Sequence, residues 1–194
     1  MVAYYYDSNT IYAEPMKSRS GPELLKVKTT IHNLLLEGGL PPKIQYPDNK
    51  FPKVLGKFIT EKDECLQLVP LHLYRRNSAE RAIQTFKNHF IAGLASVNKN
   101  FPVRLWCRLL RHCLLTLNLL RPSIINSKVS TYAQLHSAFN FNRTLLAPPG
   151  TKIIIHDNSA IWGSWETRGY EGCYIGPALN NYRCHTVYAN HTAH

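Results

Sequence analysis

The sequence predicts an α/β protein that ends in a small all-β unit. Hydrophobic residues make up 44% of its 194 residues, enough for one globular domain with a core and a small appendage. Over residues 1–147, apolar residues recur at helical spacing in some segments and form short strand-like runs in others. After residues 147–150 (Ala-Pro-Pro-Gly), short β-rich runs with Gly-containing turns replace the helical pattern. We therefore expect a core at 1–147 and a β unit at 148–194.

The N-terminal segment predicts a β-hairpin followed by a helix. Residues 2–6 and 10–14 are rich in Tyr, Val and Ile around a polar turn, which is typical of a hairpin. Ser20 and Glu23 fit a capping box at the start of a helix, and Gly38 with Gly39 marks its end. A short strand and a second helix are expected next, at 43–47 and at about 52–62.

The middle of the chain predicts one more strand and then mainly helices. Residues 65–69 read as a strand of buried type. The next helix begins at Asn77 and reaches about Val97, because its apolar residues recur every three or four positions. Further helices are expected at 103–120 and 131–139, followed by four or five short strands in the β unit.

The positive charge of the chain is concentrated in one segment. The net charge is +11, yet residues 1–74 nearly balance their charges. The segment 75–121 has one acid, Glu80, against nine cations. A local basic surface usually indicates a polyanionic partner, and a merely solubilising surface usually mixes both signs. The nine cations are Arg75, Arg76, Arg81, Lys87, Lys99, Arg104, Arg108, Arg111 and Arg121.

Cysteine usage and hydropathy indicate an intracellular protein without a membrane span. The five Cys are irregularly spaced, which favours reduced thiols over a disulfide framework. No Cys-x-x-Cys pair is present, so the spacing does not favour a zinc site. The longest apolar-rich run, 105–120, is interrupted by charged and polar residues, and no signal-peptide pattern follows Met1.

The segment 75–90 is the most informative part of the sequence. It places the carboxylate of Glu80 among cations at the start of an amphipathic helix. Glu80 also lies three residues after Asn77, so it fits a capping box that needs no catalysis. The residues alone leave both roles open: a metal-binding acid beside a phosphate backbone, or a helix cap.

Several segments together resemble a known family. They are the helix start at 77–81, the run Thr-Leu-Asn-Leu-Leu-Arg-Pro at 116–122, Asn-Phe-Asn-Arg-Thr at 140–144, and Gly-Cys-Tyr-Ile-Gly-Pro-Ala at 172–178. In this order they resemble the integrase core of LTR retrotransposons and retroviruses. The resemblance implies an RNase H-like mixed sheet with flanking helices, followed by an SH3-like β-barrel.

The resemblance also implies a catalytic site. Glu80 matches the third acid of the family's D-D-E triad, and Asp48 matches the second, at the end of a strand. In such a site, carboxylates hold Mg²⁺ or Mn²⁺ for transfer reactions on DNA. The implied phosphate contacts are Arg75, Arg76, Arg81 and Lys87.

The sequence departs from the family pattern in two ways. The strand that carries the first acid of the triad precedes the hairpin in the family, and here the chain starts with the hairpin. Asp7 matches a turn of the hairpin rather than that strand, and its Asp-Ser-Asn context is turn chemistry. Lys50 stands where related elements have an acid. We therefore expect an N-terminally truncated copy that is catalytically impaired.

The resemblance implies DNA integration as the inherited function, by 3′-end processing and strand transfer. The expected partners are element DNA ends, a target duplex and further copies of the chain, in the nucleus if the protein is functional. The alternative is a non-catalytic nucleic-acid-binding or dimerisation domain that reuses the fold. Arg104, Arg108 and Arg111 share one helix face and are candidates for a second DNA contact or for an acidic partner.

Overall fold

The computed structural model describes residues 1–47, 52–68, 78–156, 164–165 and 167–189. Within these ranges the chain forms helices and small β-sheets, which confirms the α/β class. The chain divides into two compact units. The first unit comprises residues 1–87 and 117–139, and the second comprises 88–116 and 140–194. The predicted boundary at residue 148 stays a prediction.

The first unit begins with the expected hairpin. Strands β1 (Val2–Tyr5) and β2 (Thr10–Ala13) pair antiparallel, with Val2 opposite Ala13. Asn9 closes the turn with a φ of 63°, a conformation that Asn tolerates better than most residues. The side-chain amide nitrogen of Asn9, Nδ2, donates to the Pro122 carbonyl at 2.7 Å. The turn is therefore tied to a distant part of the same unit.

Helix α1 (Gly21–Glu37) covers the hairpin. Its buried residues Val27, Ile31 and Leu35 form one stripe, because they recur at spacing four. Ala3, Tyr5 and Tyr12 of the hairpin pack against this stripe. The helix ends at Glu37 with Gly38 as its C-cap, and Gly39 follows with a φ of 69°, so the helix stops where the sequence predicts.

The predicted capping box at the start of α1 is wrong. The Ser20 side chain makes no cap hydrogen bond, and its hydroxyl lies 2.9 Å from the hydroxyl of Ser18. Glu23 instead accepts a hydrogen bond from the Lys17 amide at 3.2 Å. The two capping side chains therefore serve the segment before the helix, a competition that Ser and Glu spacing alone does not reveal.

A parallel strand pair flanks the second helix. Strands β3 (Ile44–Gln45) and β4 (Cys65–Leu66) are parallel, with helix α2 (Lys53–Glu61) between them in sequence. The prediction of a buried strand at 65–69 is wrong for Cys65 and Leu66, since both residues are exposed. They belong to a two-stranded pair among the described residues, so no further strand covers them there. Val69 lies outside the described residues.

The remaining helices follow the sequence prediction with shorter bounds. Helix α3 (Ser78–Ala95) ends two residues before the predicted position, where the Ser96 hydroxyl and amide both bind the Gly93 carbonyl. A 3-10 turn (Val103–Leu105) precedes helix α4 (Trp106–Leu120). Helix α5 (Thr131–His136) is capped by Ser130 and ends at Ser137, whose φ is 72°.

The second unit contains a three-stranded antiparallel sheet. The strands are β5 (Lys152–His156), β6 (Gly169–Pro177) and β7 (His185–Ala189), in the order β5-β6-β7. Cys173 and Ile175 of β6 are buried with Phe101 and with Leu109 of α4. Phe90, Leu94 and Val97 pack against this cluster. Residues 157–163 and 166, between β5 and β6 in sequence, are not among the described residues.

None of the described helices is long and apolar enough to cross a membrane. All five cysteines are free thiols. Burial raises the pKa of the Cys113 thiol to about 11, so this side chain is an inert packing residue rather than a nucleophile.

Candidate functional site

Glu80 lies in the first turn of α3 and is exposed. Ala82 and Phe86 of this helix are buried, with 3% and 8% of their surface exposed. Arg81 and Lys87 are exposed on the same helix. Lys87 lies seven residues after Glu80, two helical turns on, about 10 Å further along the axis on the same side. A carboxylate and two cations are thus presented to solvent by one rigid element.

These three charged side chains are not neutralised by their described surroundings. Within the described ranges, Glu80, Arg81 and Lys87 form no ion pair. The hydroxyl of Thr85 donates to the Arg81 carbonyl at 2.9 Å, which leaves the guanidinium unaffected. No described residue therefore competes with an outside ligand for these three charges.

The side chain of Arg81 is near the β1 hairpin strand. Burial raises the pKa of the Tyr4 phenol, and the positive charges of Arg121 and Arg81 oppose this rise. The Arg121 Nε donates to the Asn9 carbonyl at 3.1 Å, and its Nη2 donates to the Asn9 side chain. Arg121 is therefore a structural residue, whereas Arg81 contributes its charge without a described partner.

The other predicted site residues lie outside the described residues. These are Asp48, Arg75 and Arg76, together with Lys50, whose role the sequence left open. Asp7 is exposed in the hairpin turn, as its Asp-Ser-Asn context predicts. The structure therefore brings together Glu80, Arg81 and Lys87 on one helix and tests no pairing between Glu80 and Asp48.

Glu80 suits a hard divalent cation better than a soft one. Mg²⁺ and Mn²⁺ prefer carboxylate and water oxygens and keep several waters, so a few protein acids suffice. Glu80 offers an exposed carboxylate without a described cationic partner, which fits one such ligand. Within the described ranges, no three side chains of His, Cys, Asp or Glu come together to hold a metal. A second acid would have to come from elsewhere, and Asp48 is the residue that the sequence predicts.

The first unit contains a buried polar network that the sequence analysis did not predict. His32 Nδ1 lies 3.0 Å from Glu64 Oε1, without hydrogen-bond alignment, and both side chains are almost fully buried. Gln45 bridges the network, because its amide donates to Glu64 and its carbonyl oxygen accepts from the Lys28 ammonium. Burial lowers the pKa of Lys28, and the charge of Glu64 opposes this. The signal in the sequence was the pair Lys28 and His32, polar residues four apart beside an apolar stripe.

The second unit contains buried titratable side chains that sequence reasoning did not connect. His112 is 3% exposed, and its ring lies edge-on to the ring of Tyr174, with 5.3 Å between centroids. The Tyr174 hydroxyl and His112 Nδ1 have no well-aligned hydrogen-bond partner among the described residues, although the Ala147 backbone is close enough to shift both pKa values. Burial lowers the pKa of His112 and raises that of Tyr174. His89 Nε2 lies 2.9 Å from the Thr116 hydroxyl.

Two shallow concavities are present among the described residues, and neither contains a predicted site residue. One, of about 470 Å³, is formed by α1 and α2 residues, including Lys53, Lys57 and Glu61. The other, of about 460 Å³, lies against the three-stranded sheet and is mainly apolar, with Tyr174 and His185 as its polar side chains. Neither offers the carboxylate set that a metal-dependent transferase site needs.

No protein-family model matches the chain, and no curated protein matches it.

Proposed function

We propose that the chain is a fragment of an LTR retrotransposon or retroviral-type integrase, whose inherited function is DNA integration by 3′-end processing and strand transfer. The observation that carries the proposal is the exposed Glu80 in the first turn of α3, with Arg81 and Lys87 on the same helix. A carboxylate that can bind metal and cations that can bind phosphate fit part of what DNA transfer chemistry requires. We propose that the catalysis is impaired, because the resemblance matches only the second and third acids of the triad to residues of this sequence.

In this proposal, Glu80 and Asp48 would hold Mg²⁺ or Mn²⁺. When bound, the metal would activate the attacking water or 3′-hydroxyl and stabilise the leaving oxygen. Arg81 and Lys87, with Arg75 and Arg76, would bind the DNA backbone and orient it by charge-assisted hydrogen bonds to phosphate oxygens. The helix carries Glu80 in its first turn, two residues before the buried Ala82.

The strand pairings support the RNase H-like part of the proposal. The first unit contains an antiparallel pair, β1 and β2, and a separate parallel pair, β3 and β4. Helix α1 contacts both pairs, through Tyr5 and Tyr12 of the hairpin and through Gln45 of β3. A strand between β1 and β3 would join the pairs into one mixed sheet, the position that the resemblance gives to the strand with the first acid. We likewise propose that the three-stranded sheet of the second unit belongs to an SH3-like barrel.

The partners follow from the same chemistry. The proposed ligands are the ends of the element DNA and a target duplex, held by a homo-oligomer that acts in the nucleus. The net charge of +11 and the concentration of cations in 75–121 support a polyanionic ligand.

Strand transfer on short duplex DNA tests the proposal. The chain is incubated with labelled DNA ends, a target duplex and Mn²⁺ or Mg²⁺, alongside Glu80→Gln and the control Glu61→Gln. Glu61 is an exposed acid at the end of α2, so its variant removes the same charge away from the proposed site. We expect DNA binding by all three proteins and at most trace metal-dependent product. The trace should vanish only in Glu80→Gln, and ample product that survives in this variant would exclude the assigned site.

A second arm supplies the first acid of the triad. The chain is extended at its N-terminus by a strand that carries an Asp, designed to lie between β1 and β3. Metal-dependent product from the extended chain, lost again on Glu80→Gln, supports the inherited chemistry. A folded extended chain that binds DNA and gives no product counts against it.

The alternative is a non-catalytic nucleic-acid-binding or dimerisation domain. The observation that favours it is the set of exposed cations, Arg81 and Lys87 among them, which need no metal to bind phosphate. It predicts DNA affinity that falls steeply with salt, that Mg²⁺ does not enhance and that Glu80→Gln does not weaken.

A further inference from the structure

We propose that Arg104, Arg108 and Arg111, the arginine row, bind the phosphate backbone of duplex DNA as a second contact, without metal. The inference deepens the proposed function and rests on it for the identity of the ligand. It concerns the second unit alone, and it does not involve Glu80 or its helix.

The three guanidiniums are presented along one side of α4 and the turn before it. The spacing of three residues places Arg108 and Arg111 about 60° apart around α4, since each helical residue turns about 100°. Arg104 lies in the 3-10 turn that leads into this helix. From Arg104 to Arg111 the row extends about 10 Å along the axis. All three side chains are exposed. They therefore form a linear positive ridge rather than scattered surface charges.

On another side of α4, buried apolar residues pack into the core of the second unit and fix the position of the helix. Leu109 is fully buried and Leu110 is 4% exposed. Leu109 packs with Phe101, Cys173 and Ile175 in the core of the second unit. Because these contacts fix the rotation of the helix, the guanidiniums lose little backbone freedom when a ligand binds.

The row lacks compensating acid in the described part of its unit. The one carboxylate there is Glu171, and it pairs with the Lys152 ammonium. Arg104, Arg108 and Arg111 form no ion pair in those ranges. The described cations of the unit are Lys99, Arg104, Arg108, Arg111, Arg143, Lys152, Arg168 and Arg183. This imbalance favours a polyanion as ligand.

The residue type and the length of the row favour a nucleic-acid backbone over an acidic protein. All three cations are Arg, whose planar guanidinium binds phosphate through two parallel hydrogen bonds. Duplex DNA offers one charge per about 1.7 Å of its axis, so any 10 Å segment presents several phosphates. An acidic protein would need carboxylates at matching positions.

The test is the salt dependence of DNA binding in EDTA. Fluorescence anisotropy of a labelled 20-base-pair duplex is measured over a NaCl series with the whole chain. The variant Arg104→Gln/Arg108→Gln/Arg111→Gln is compared with the control Lys26→Gln/Lys53→Gln/Lys57→Gln, which removes three exposed cations from α1 and α2 of the other unit. We expect the slope of log affinity against log salt to become shallower by about 2.7 in the arginine variant, from about 0.9 per phosphate contact. The control should keep the slope of the original chain.

A variant that keeps the charge separates binding from misfolding. Arg104→Lys/Arg108→Lys/Arg111→Lys should retain most of the slope and bind somewhat more weakly, because Lys lacks the two-pronged contact. Urea unfolding of all variants checks that these exposed substitutions leave the fold intact. The proposal would be overturned if the variant with three Arg→Gln substitutions and the control with three Lys→Gln substitutions gave equal slopes.

Two further arms identify the ligand. Tighter row-dependent binding of an RNA duplex of equal length, or of polyglutamate of equal charge, would overturn DNA as the partner. Weaker binding of both supports it. Because the assay contains no metal, the two proposals can fail separately. No strand-transfer product from the folded, N-terminally extended chain, together with a row-dependent slope, would refute the catalytic part of the proposed function and leave this contact standing.

Discussion

At the scale of single residues, the buried network around Glu64 is the most sensitive feature of the first unit. Glu64 is 9% exposed and lies 3.0 Å from His32, while Gln45 connects it to Lys28. A buried charge that loses its partner is costly because water cannot replace that partner. The network therefore stabilises the packing of α1 against the parallel strand pair, and it has no role in the proposed chemistry.

Glu64→Gln should lower the free energy of unfolding by about 3 kcal/mol, the typical cost of removing one member of a buried charged network. The amide keeps the shape but leaves the Lys28 charge without its nearest acid. Urea unfolding followed by circular dichroism measures the effect. Glu61→Gln, an exposed acid on α2, should change stability by less than about 0.5 kcal/mol. Equal unfolding midpoints for the two variants would show that the network carries no stability.

The buried His112 should make stability depend on pH. Burial lowers its pKa below the ordinary 6.5, and the nearby His89 acts in the same direction. The unfolded chain therefore takes up the proton first as pH falls. Stability is full above about pH 6.5 and is lost as pH falls from there through the lowered folded pKa. His89 and His136 also have pKa values lowered by burial and add to the loss.

Urea unfolding of the original chain and of His112→Gln at pH 7.5 and pH 5 separates this contribution. The original chain should lose more stability between the two pH values than the variant, since Gln does not titrate. Tyr174, which packs edge-on against His112, stays protonated over this range because its pKa is raised. An identical loss in both proteins would show that His112 is not the titrating group.

At the scale of elements, Gly150 fixes the path of the chain into the β5-β6-β7 sheet. Its φ is +70°, its amide donates to the Tyr174 carbonyl at 2.8 Å, and its carbonyl accepts from the Asn98 amide at 3.1 Å. A Cβ atom at this position would lie 2.5 Å from a methyl carbon of Val97. Both the backbone conformation and the space therefore require glycine.

Gly150→Ala should destabilise the protein more than Gly39→Ala. Gly39 has the same kind of backbone, with a φ of +69°, but nothing lies within 4 Å of its added Cβ. The Gly39 variant should cost about 1–2 kcal/mol from backbone strain alone. The Gly150 variant should cost about 1–3 kcal/mol more, from the clash with Val97. Thermal or urea unfolding of the two variants measures the difference. Equal losses in the free energy of unfolding would mean that Val97 moves aside freely.

The sequence predicts the elements of this protein better than their ends and pairings. Helical spacing predicts α3 because Ala82 and Phe86 are both buried on one side. The capping box at Ser20 fails because Glu23 bonds to Lys17 instead, a choice among local hydrogen bonds that spacing does not rank. The burial of β4 fails because burial depends on which strands are neighbours, and this is set by distant parts of the chain.

At the scale of the whole molecule, charge is the property that sequence and structure connect most directly. The count of cations in 75–121 predicts a polyanionic ligand, and the exposure of Arg81, Lys87 and the arginine row makes these charges available. The sequence indicates only the Lys28 and His32 part of the network around Glu64, because Gln45 and Glu64 come from other parts of the chain. The pairing of Glu80 with Asp48 also stays a prediction, since Asp48 lies outside the described residues.

The most direct measurement is Mn²⁺-dependent strand transfer by this chain, by Glu80→Gln and by Glu61→Gln on the same labelled duplex. The proposed function predicts that all three bind DNA, that product is at most a trace, and that this trace is absent only from Glu80→Gln. Product that persists in Glu80→Gln, or a chain that fails to bind DNA at low salt, would contradict it.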